Sequence, residues 1–177
     1  KTLKIEVLPL HIKNLLLLFA KSITTKKNWS IKDMSVDVRA EVLINSSRET
    51  VAEIMFNPKC DMIWMTGLNR VFPQTAGNLA KGSKVEHVGS FLGRSFSRVA
   101  LVIRAEAGNM LEMSADEPFA MKIKYELKDS DDGTKVKIQV QSVAELEFPM
   151  PASIVAKSMK EKIEADLKKL KKHLEEN

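Results

Sequence analysis

The side chains with the clearest chemical potential are a thiol, a carboxylate and an imidazole, those of Cys60, Asp61 and His87. These are the groups of a nucleophilic site, but they fall on different predicted elements, which argues against a catalytic set. The sequence has no glycine-rich phosphate loop, no HExxH metal motif and no complete nucleophile elbow. His11 and His173 lie near opposite ends of the chain, so no histidine-rich metal site is expected. The sequence therefore predicts no catalytic residues, no metal and no cofactor.

Two polar side chains stand among the apolar positions of predicted strands. His87 shares its parity with Val85 and Phe91, which predicts that the imidazole faces the interior. Tyr125 lies in the alternating segment 119–127, and its hydroxyl needs a hydrogen-bond partner if the ring is buried. His87 and Tyr125 are therefore the predicted polar groups of an interior site. A structural histidine with satisfied hydrogen bonds is the competing interpretation.

The periodicity of apolar residues predicts one strand, two short helices, about six antiparallel strands and one long helix. The first strand is predicted at 36–44, and Ser46 with Glu49 forms a capping box that begins a short helix. Further strands are predicted at 68–74, 84–92, 94–105, 110–115, 119–127 and after Gly133. From Pro151 to about residue 175, apolar residues recur at spacings of three and four. That spacing predicts an amphipathic helix about 37 Å long.

The charge of the chain is unevenly distributed. The 177 residues carry a formal net charge of +5. Residues 1–33 hold seven lysines and two acidic residues, which accounts for the whole excess. The remainder is neutral, so nucleic acid is not an expected partner. The single cysteine allows no internal disulfide, which favours a cytoplasmic location.

A basic leader precedes the periodic part of the sequence. Its apolar run, 14–20, is flanked by Lys13 and Lys21 and is much shorter than the roughly 20 residues of a bilayer-spanning helix. Stable membrane insertion is therefore not expected. Met34 looks like a natural start, so we expect residues 1–33 to lie outside the core fold and residues 34–177 to form a single domain.

The order of these elements resembles the helix-grip fold of the START / Bet v 1-like (SRPBCC) superfamily, especially its polyketide cyclase/dehydrase and lipid-transport-like branch. The resemblance covers about residues 35–175 and is carried by segments 42–47, 58–64, 77–85 and 125–136 together with the long helix. It implies an α+β fold in which a curved antiparallel sheet of about seven strands wraps around one C-terminal helix. Two short helices follow the first strand. It also implies an apolar cavity between the sheet and that helix.

The function implied by this resemblance is binding or carriage of a hydrophobic small molecule, such as a lipid, quinone or polyketide-like compound. The alternatives are an aromatase/cyclase-type enzyme, in which His87 or Tyr125 shuttles protons, and a protein-interaction module. Trp64 resembles the family's tryptophan near the cavity entrance, and the other predicted ligand-binding residues are inward positions of the strands and helix. The full predicted set is Trp64, His87, Phe91, Leu101, Ile103, Met113, Phe119, Met121, Ile123, Tyr125, Val155 and Met159.

Overall fold

An antiparallel sheet, two short helices and one long helix make up residues 35–143 and 148–176, the part of the chain that the computed structural model describes. The basic leader predicted at residues 1–33 lies outside the described residues. The strands are β1 (Asp37–Ile44), β2 (Leu68–Pro73), β3 (Lys84–Phe91), β4 (Arg94–Glu106), β5 (Met110–Ala115), β6 (Met121–Ser130) and β7 (Gly133–Ser142). The helices are α1 (Arg48–Met55), α2 (Asp61–Trp64) and α3 (Ala152–Glu176), with a 3₁₀ turn at Pro58–Cys60 before α2.

The seven described strands form one sheet in the order β1-β7-β6-β5-β4-β3-β2, and every neighbouring pair is antiparallel. Helix α3 packs mainly against β1 and α2. Its buried face includes most of the predicted apolar stripe, namely Val155, Met159, Ile163, Leu167 and Leu170. The predicted helix-grip architecture, a curved sheet around one long C-terminal helix, is confirmed.

The cap of α1 lies one residue later than the sequence predicted. The Ser47 hydroxyl oxygen accepts the backbone N–H of Thr50 at 3.2 Å, so Ser47 and not Ser46 is the N-cap. The predicted capping box of Ser46 and Glu49 is therefore wrong. The Ser46 carbonyl instead accepts a hydrogen bond from the Thr134 hydroxyl at 2.8 Å, which ties this turn to β7.

A close approach of two glycines holds the end of α2 against the sheet. A Cβ on Gly89 would lie 2.2 Å from the carbonyl oxygen of Gly67, so no larger residue fits at this position of β3. Gly67 has a φ of 73°, a conformation that glycine adopts without strain. Its carbonyl also accepts the N–H of Ser90 at 3.0 Å. These contacts bring the chain after α2 onto β3, two residues from His87.

Strand β4 faces the interior with the opposite parity to the predicted one. The sequence predicted Val99, Leu101 and Ile103 as inward positions, but Val99 is 45% exposed and the other two are only partly buried. The buried residues of this stretch are Ala100 and Val102. Leu101 and Ile103 therefore lie on the outer face of the sheet and not on the concave face.

The pairing of β4 with β3 determines which residues of β4 face inward. A two-residue turn joins the two strands, so Phe91 pairs with Arg94 and His87 pairs with Arg98. Directly paired residues point to the same side of a sheet, so the inward-facing His87 places Arg98 on the inner side as well. The alternation of apolar and polar residues could not predict the inward face of β4, because residues 99–103 are all apolar.

Candidate functional site

A buried carboxylate–imidazole pair links α2 to β3. Oδ2 of Asp61, at the start of α2, lies 2.7 Å from Nε2 of His87. Both side chains are at most 3% exposed. Burial lowers the pKa of His87 and raises that of Asp61, although each side chain favours the charged form of the other. The hydrogen bond joins Nε2 of His87 to the carboxyl group of Asp61, and the buried Nδ1 of His87 has no hydrogen-bond partner among the described residues.

Cys60 does not join this pair as a nucleophile. Burial and the neighbouring Asp61 charge raise the pKa of the Cys60 thiol. A thiol with a raised pKa is mostly protonated near neutral pH and is a poor nucleophile. The hydrogen bond between Asp61 and His87 is thus a structural link between two elements, and Cys60 adds no nucleophile to it.

The space between the sheet and α3 is a cavity of about 30 Å³. This is close to the volume that one water molecule occupies in the liquid and far below a ligand-sized pocket. Side chains from α2, β4, β6, β7 and α3 surround it: Trp64, Met65, Arg98, Met121, Ile123, Tyr125, Ile138, Val140, Met159, Lys162, Ile163 and Asp166. The lining is apolar on most sides, but it includes three charged side chains that the sequence analysis did not identify.

Asp166 is the charged lining residue with the most hydrogen bonds. It accepts the backbone N–H of Thr66 at 2.6 Å and also the Thr66 hydroxyl. The Lys162 ammonium donates to its other oxygen at 2.7 Å. Asp166 therefore joins α3 to the chain just after α2, and its carboxylate is fully engaged.

Arg98 is the charged lining residue with the fewest contacts. Its Nε is buried and has no acceptor among the described residues. The guanidinium carbon lies 5.3 Å from the centre of the Phe96 ring, a cation–π arrangement. Of the residues around the cavity, only Arg98 and Lys162 are partly exposed, whereas the other ten are buried. The two lining residues that keep some solvent exposure are thus both basic.

Two aromatic side chains border the same space. Trp64 and Tyr125 pack edge to face, with ring centres 5.8 Å apart, and Nε1 of Trp64 is buried with no acceptor among the described residues. Burial strongly raises the pKa of Tyr125, so its phenol stays protonated near neutral pH. Tyr125 can therefore donate a hydrogen bond to a bound group but cannot act as a base there.

The structure brings together some of the predicted site residues and separates others. Around the cavity lie Trp64, Met121, Ile123, Tyr125 and Met159. Buried in the core but away from the cavity lie His87, Phe91, Met113, Phe119 and Val155. The two remaining residues, Leu101 and Ile103, are on the outer side of β4, as described above. His87 is therefore not a polar group of the cavity wall but the partner of Asp61.

Sequence reasoning missed the charged groups Arg98, Lys162 and Asp166. Arg98 could have been found by counting outward from the two-residue turn at Leu92 and Gly93, which pairs it with His87. Lys162 and Asp166 are neighbours one turn apart on α3, and that spacing is equally typical of a solvated helix face. Only the packing of α2 against α3 distinguishes this pair from the exposed pairs of the same helix.

Comparisons with known proteins show the fold. No protein-family model matches the sequence, and no curated protein matches it. Among solved structures, a START superfamily protein from Mycobacterium smegmatis matches with 17% identity and a TM-score of 0.67 over 79% of this chain and 97% of that chain. Ara h 8.0201 matches with 13% identity and a TM-score of 0.63 over 81% and 99%.

A third structure, the ginseng major latex-like protein 151 from Panax ginseng, has 10% identity and a TM-score of 0.63, with coverages of 80% and 98%. The chain thus has the fold of the START / Bet v 1-like proteins. Because the sequence identities are only 10–17%, the similarity to these three structures shows a shared fold alone.

Neither a membrane-spanning helix nor a metal-binding group of side chains occurs among the described residues. Within residues 35–143 and 148–176, no helix is long and apolar enough to cross a membrane. In the same ranges, no three His, Cys, Asp or Glu side chains are grouped so that they could hold a metal ion.

Proposed function

We propose that the protein binds an apolar small molecule, such as a lipid, quinone or polyketide-like compound, between the sheet and α3 and carries it unchanged. The observation that carries this proposal is the unfilled space at that position, bounded on most sides by apolar side chains. A cavity between packed layers is a common place for a small-molecule site. A ligand there would gain about 25 cal/mol for each Å² of apolar surface that it buries.

The cavity must widen to accept such a molecule, and its walls contain the side chains suited to that change. Met65, Met121 and Met159 all border it, from the end of α2, from β6 and from α3 respectively. Methionine has flexible torsions and a polarisable sulfur, so it can change rotamer to follow the shape of a ligand. The small volume of about 30 Å³ is therefore the closed state of an adaptable site.

Binding is favoured over the aromatase/cyclase alternative by the state of the polar groups at the cavity. Catalysis of that kind needs a free base close to the substrate. Tyr125 stays protonated, Asp166 is occupied by three donors, and His87 lies behind Asp61 and away from the cavity. These groups suit hydrogen bonding to a ligand better than proton abstraction from it.

The proposal is tested with a neutral fluorescent probe, N-phenyl-1-naphthylamine, titrated into the full chain. We expect saturable binding by the wild type and binding weakened by about tenfold or more in Met121→Trp, a loss of at least about 1.4 kcal/mol. The larger ring fills the cavity and overpacks the core, at a cost of about 1–3 kcal/mol of stability. Leu101→Trp is the matched control, because this residue lies on the outer side of β4.

Two results of this titration would overturn the proposal. One is absence of saturable binding by the wild type. The other is equal affinity in Met121→Trp and Leu101→Trp, which would place the probe elsewhere on the protein. Native mass spectrometry of the purified full chain complements the titration, because a retained natural ligand would appear as an added mass.

A further inference from the structure

Two positively charged side chains line the cavity. Arg98 reaches it from β4 and Lys162 from α3. They lie close enough for the Arg98 charge to disfavour the protonated form of Lys162. Like charges that share a partly desolvated space repel each other, and a bound anion would relieve that repulsion.

The acidic groups nearby do not satisfy Arg98. The Asp61 carboxylate is hydrogen-bonded to His87, and the Asp166 carboxylate is bonded to Thr66 and Lys162. The buried Nε of Arg98 has no acceptor among the described residues. Both acids therefore act on the guanidinium only through space. A buried donor without an acceptor is costly, and such a group needs an explanation.

A ligand that carries its own anionic acceptor explains this arrangement. Guanidinium groups bind carboxylates with charge-assisted hydrogen bonds, often two at once. The rest of the cavity wall is apolar, so the remainder of the molecule must be apolar too. The acidic end of the ligand would therefore lie at Arg98 and Lys162, and its apolar end would lie against the apolar part of the wall.

We propose that Arg98, with Lys162 beside it, binds the carboxylate of an amphipathic acid whose apolar body occupies the space between the sheet and α3. This inference rests on the proposed function and narrows its ligand class to apolar monoacids. A dianionic head group fits less well, because Asp61 and Asp166 already offset part of the positive charge around the cavity.

The test compares two probes that differ in charge and share one ring system, 2-naphthoate and 2-naphthamide. Isothermal titration of the full chain at pH 7.5 gives the affinity for each. We expect the wild type to bind 2-naphthoate about tenfold or more tightly than 2-naphthamide, as a charge-assisted contact requires. Arg98→Gln should remove this preference by weakening 2-naphthoate alone, and Arg98→Lys should keep part of it.

Matched controls lie on the same two elements. Arg104→Gln removes an exposed arginine of β4, and Lys160→Gln removes an exposed lysine of α3. Both should keep the wild-type preference, whereas Lys162→Gln should reduce it. Thermal unfolding of each variant shows that it is folded, and Arg98→Lys provides a second reading if Arg98→Gln does not fold.

Equal binding of the two probes by the wild type would overturn the inference while leaving the proposed function intact. An unchanged preference in a folded Arg98→Gln, or in Arg98→Lys together with Lys162→Gln, would do the same. Failure of the wild type to bind 2-naphthoate overturns the inference as well. The proposed function fails only if the neutral N-phenyl-1-naphthylamine also finds no saturable site.

Discussion

The basic side chains of His87 and Arg98 are paired across the β3–β4 hairpin and differ in their hydrogen bonds and in their position relative to the cavity. His87 shares a hydrogen bond with Asp61, so its burial is compensated by a defined partner. Arg98, its direct pairing partner, keeps an Nε that has no acceptor among the described residues. Nδ1 of His87 also lacks a partner there, but Arg98 borders the cavity and His87 does not. This contrast assigns a structural role to His87 and a binding role to Arg98.

The lowered pKa of His87 predicts a loss of stability in mild acid. Burial is the main cause of this shift, and the Arg98 and Lys162 charges add to it. Below about pH 6.5 the unfolded chain binds a proton at this histidine more readily than the folded chain, so the free energy of unfolding falls as pH falls. Urea unfolding between pH 7.5 and 5.5 should show a loss of up to about 1.4 kcal/mol for each pH unit below 6.5.

His87→Gln should flatten this pH dependence. Asp61 acts in the opposite direction, because its raised pKa makes the folded chain the better proton acceptor for that group. Its contribution extends from the ordinary aspartate pKa up to the raised pKa of the folded chain, so the difference in slope between the wild type and His87→Gln, and not the slope of the wild type alone, reports on His87. The same pH slope in wild type and His87→Gln would contradict the assignment.

At the scale of elements, Asp166 is the side chain that fastens α3 to the end of α2. Its three hydrogen bonds involve the backbone and hydroxyl of Thr66 and the ammonium of Lys162. Asp166→Ala would leave a backbone N–H without its acceptor and a largely buried lysine without its partner. We expect it to lower the free energy of unfolding by about 1–3 kcal/mol in urea titrations.

Glu164→Ala is the control for this prediction, because Glu164 lies on the same helix and is exposed. Its effect should stay within about 0.5 kcal/mol. If both variants lost the same small amount of stability, the contact with Thr66 would contribute nothing to the attachment of α3. The burial of the Lys162 ammonium beside Asp166 would then need an explanation other than the attachment of α3.

At the scale of the whole molecule, the sequence predicts where the folded domain begins. The alternating pattern starts at Val36, and the pairing of β1 with β7 starts at Asp37 and Gln141. Removal of residues 1–33 should therefore leave a protein that unfolds in one cooperative thermal transition and keeps the far-ultraviolet circular dichroism of a mixed α+β fold. Loss of the cooperative transition would show that the leader is part of the fold and that the predicted boundary is wrong.

The elements of the fold could be predicted from local patterns in the sequence. Alternation with a period of two and a single helical stripe from Val155 to Leu170 depend on local geometry, and each repeats often enough to be read without tertiary information. Turn residues such as Gly133 mark the ends of strands for the same reason. These signals predicted the strands and the long C-terminal helix, and the resemblance of their order to the START / Bet v 1-like superfamily predicted the helix-grip fold. Periodicity also placed Met121, Ile123, Tyr125 and Met159 on inward faces, and these four residues border the cavity together with Trp64, which the resemblance had indicated.

The charged groups of the cavity wall could be identified only from the tertiary structure. The run 99–103 is apolar on both faces, so pairing with β3 was needed to turn Arg98 inward and Leu101 outward. Lys162 and Asp166 have the same spacing as the exposed ion pairs of α3, and only the contact with Thr66 sets them apart. The physical reason is that a side chain's burial and partners depend on residues distant in sequence, whereas periodicity reports only on its neighbours along the chain.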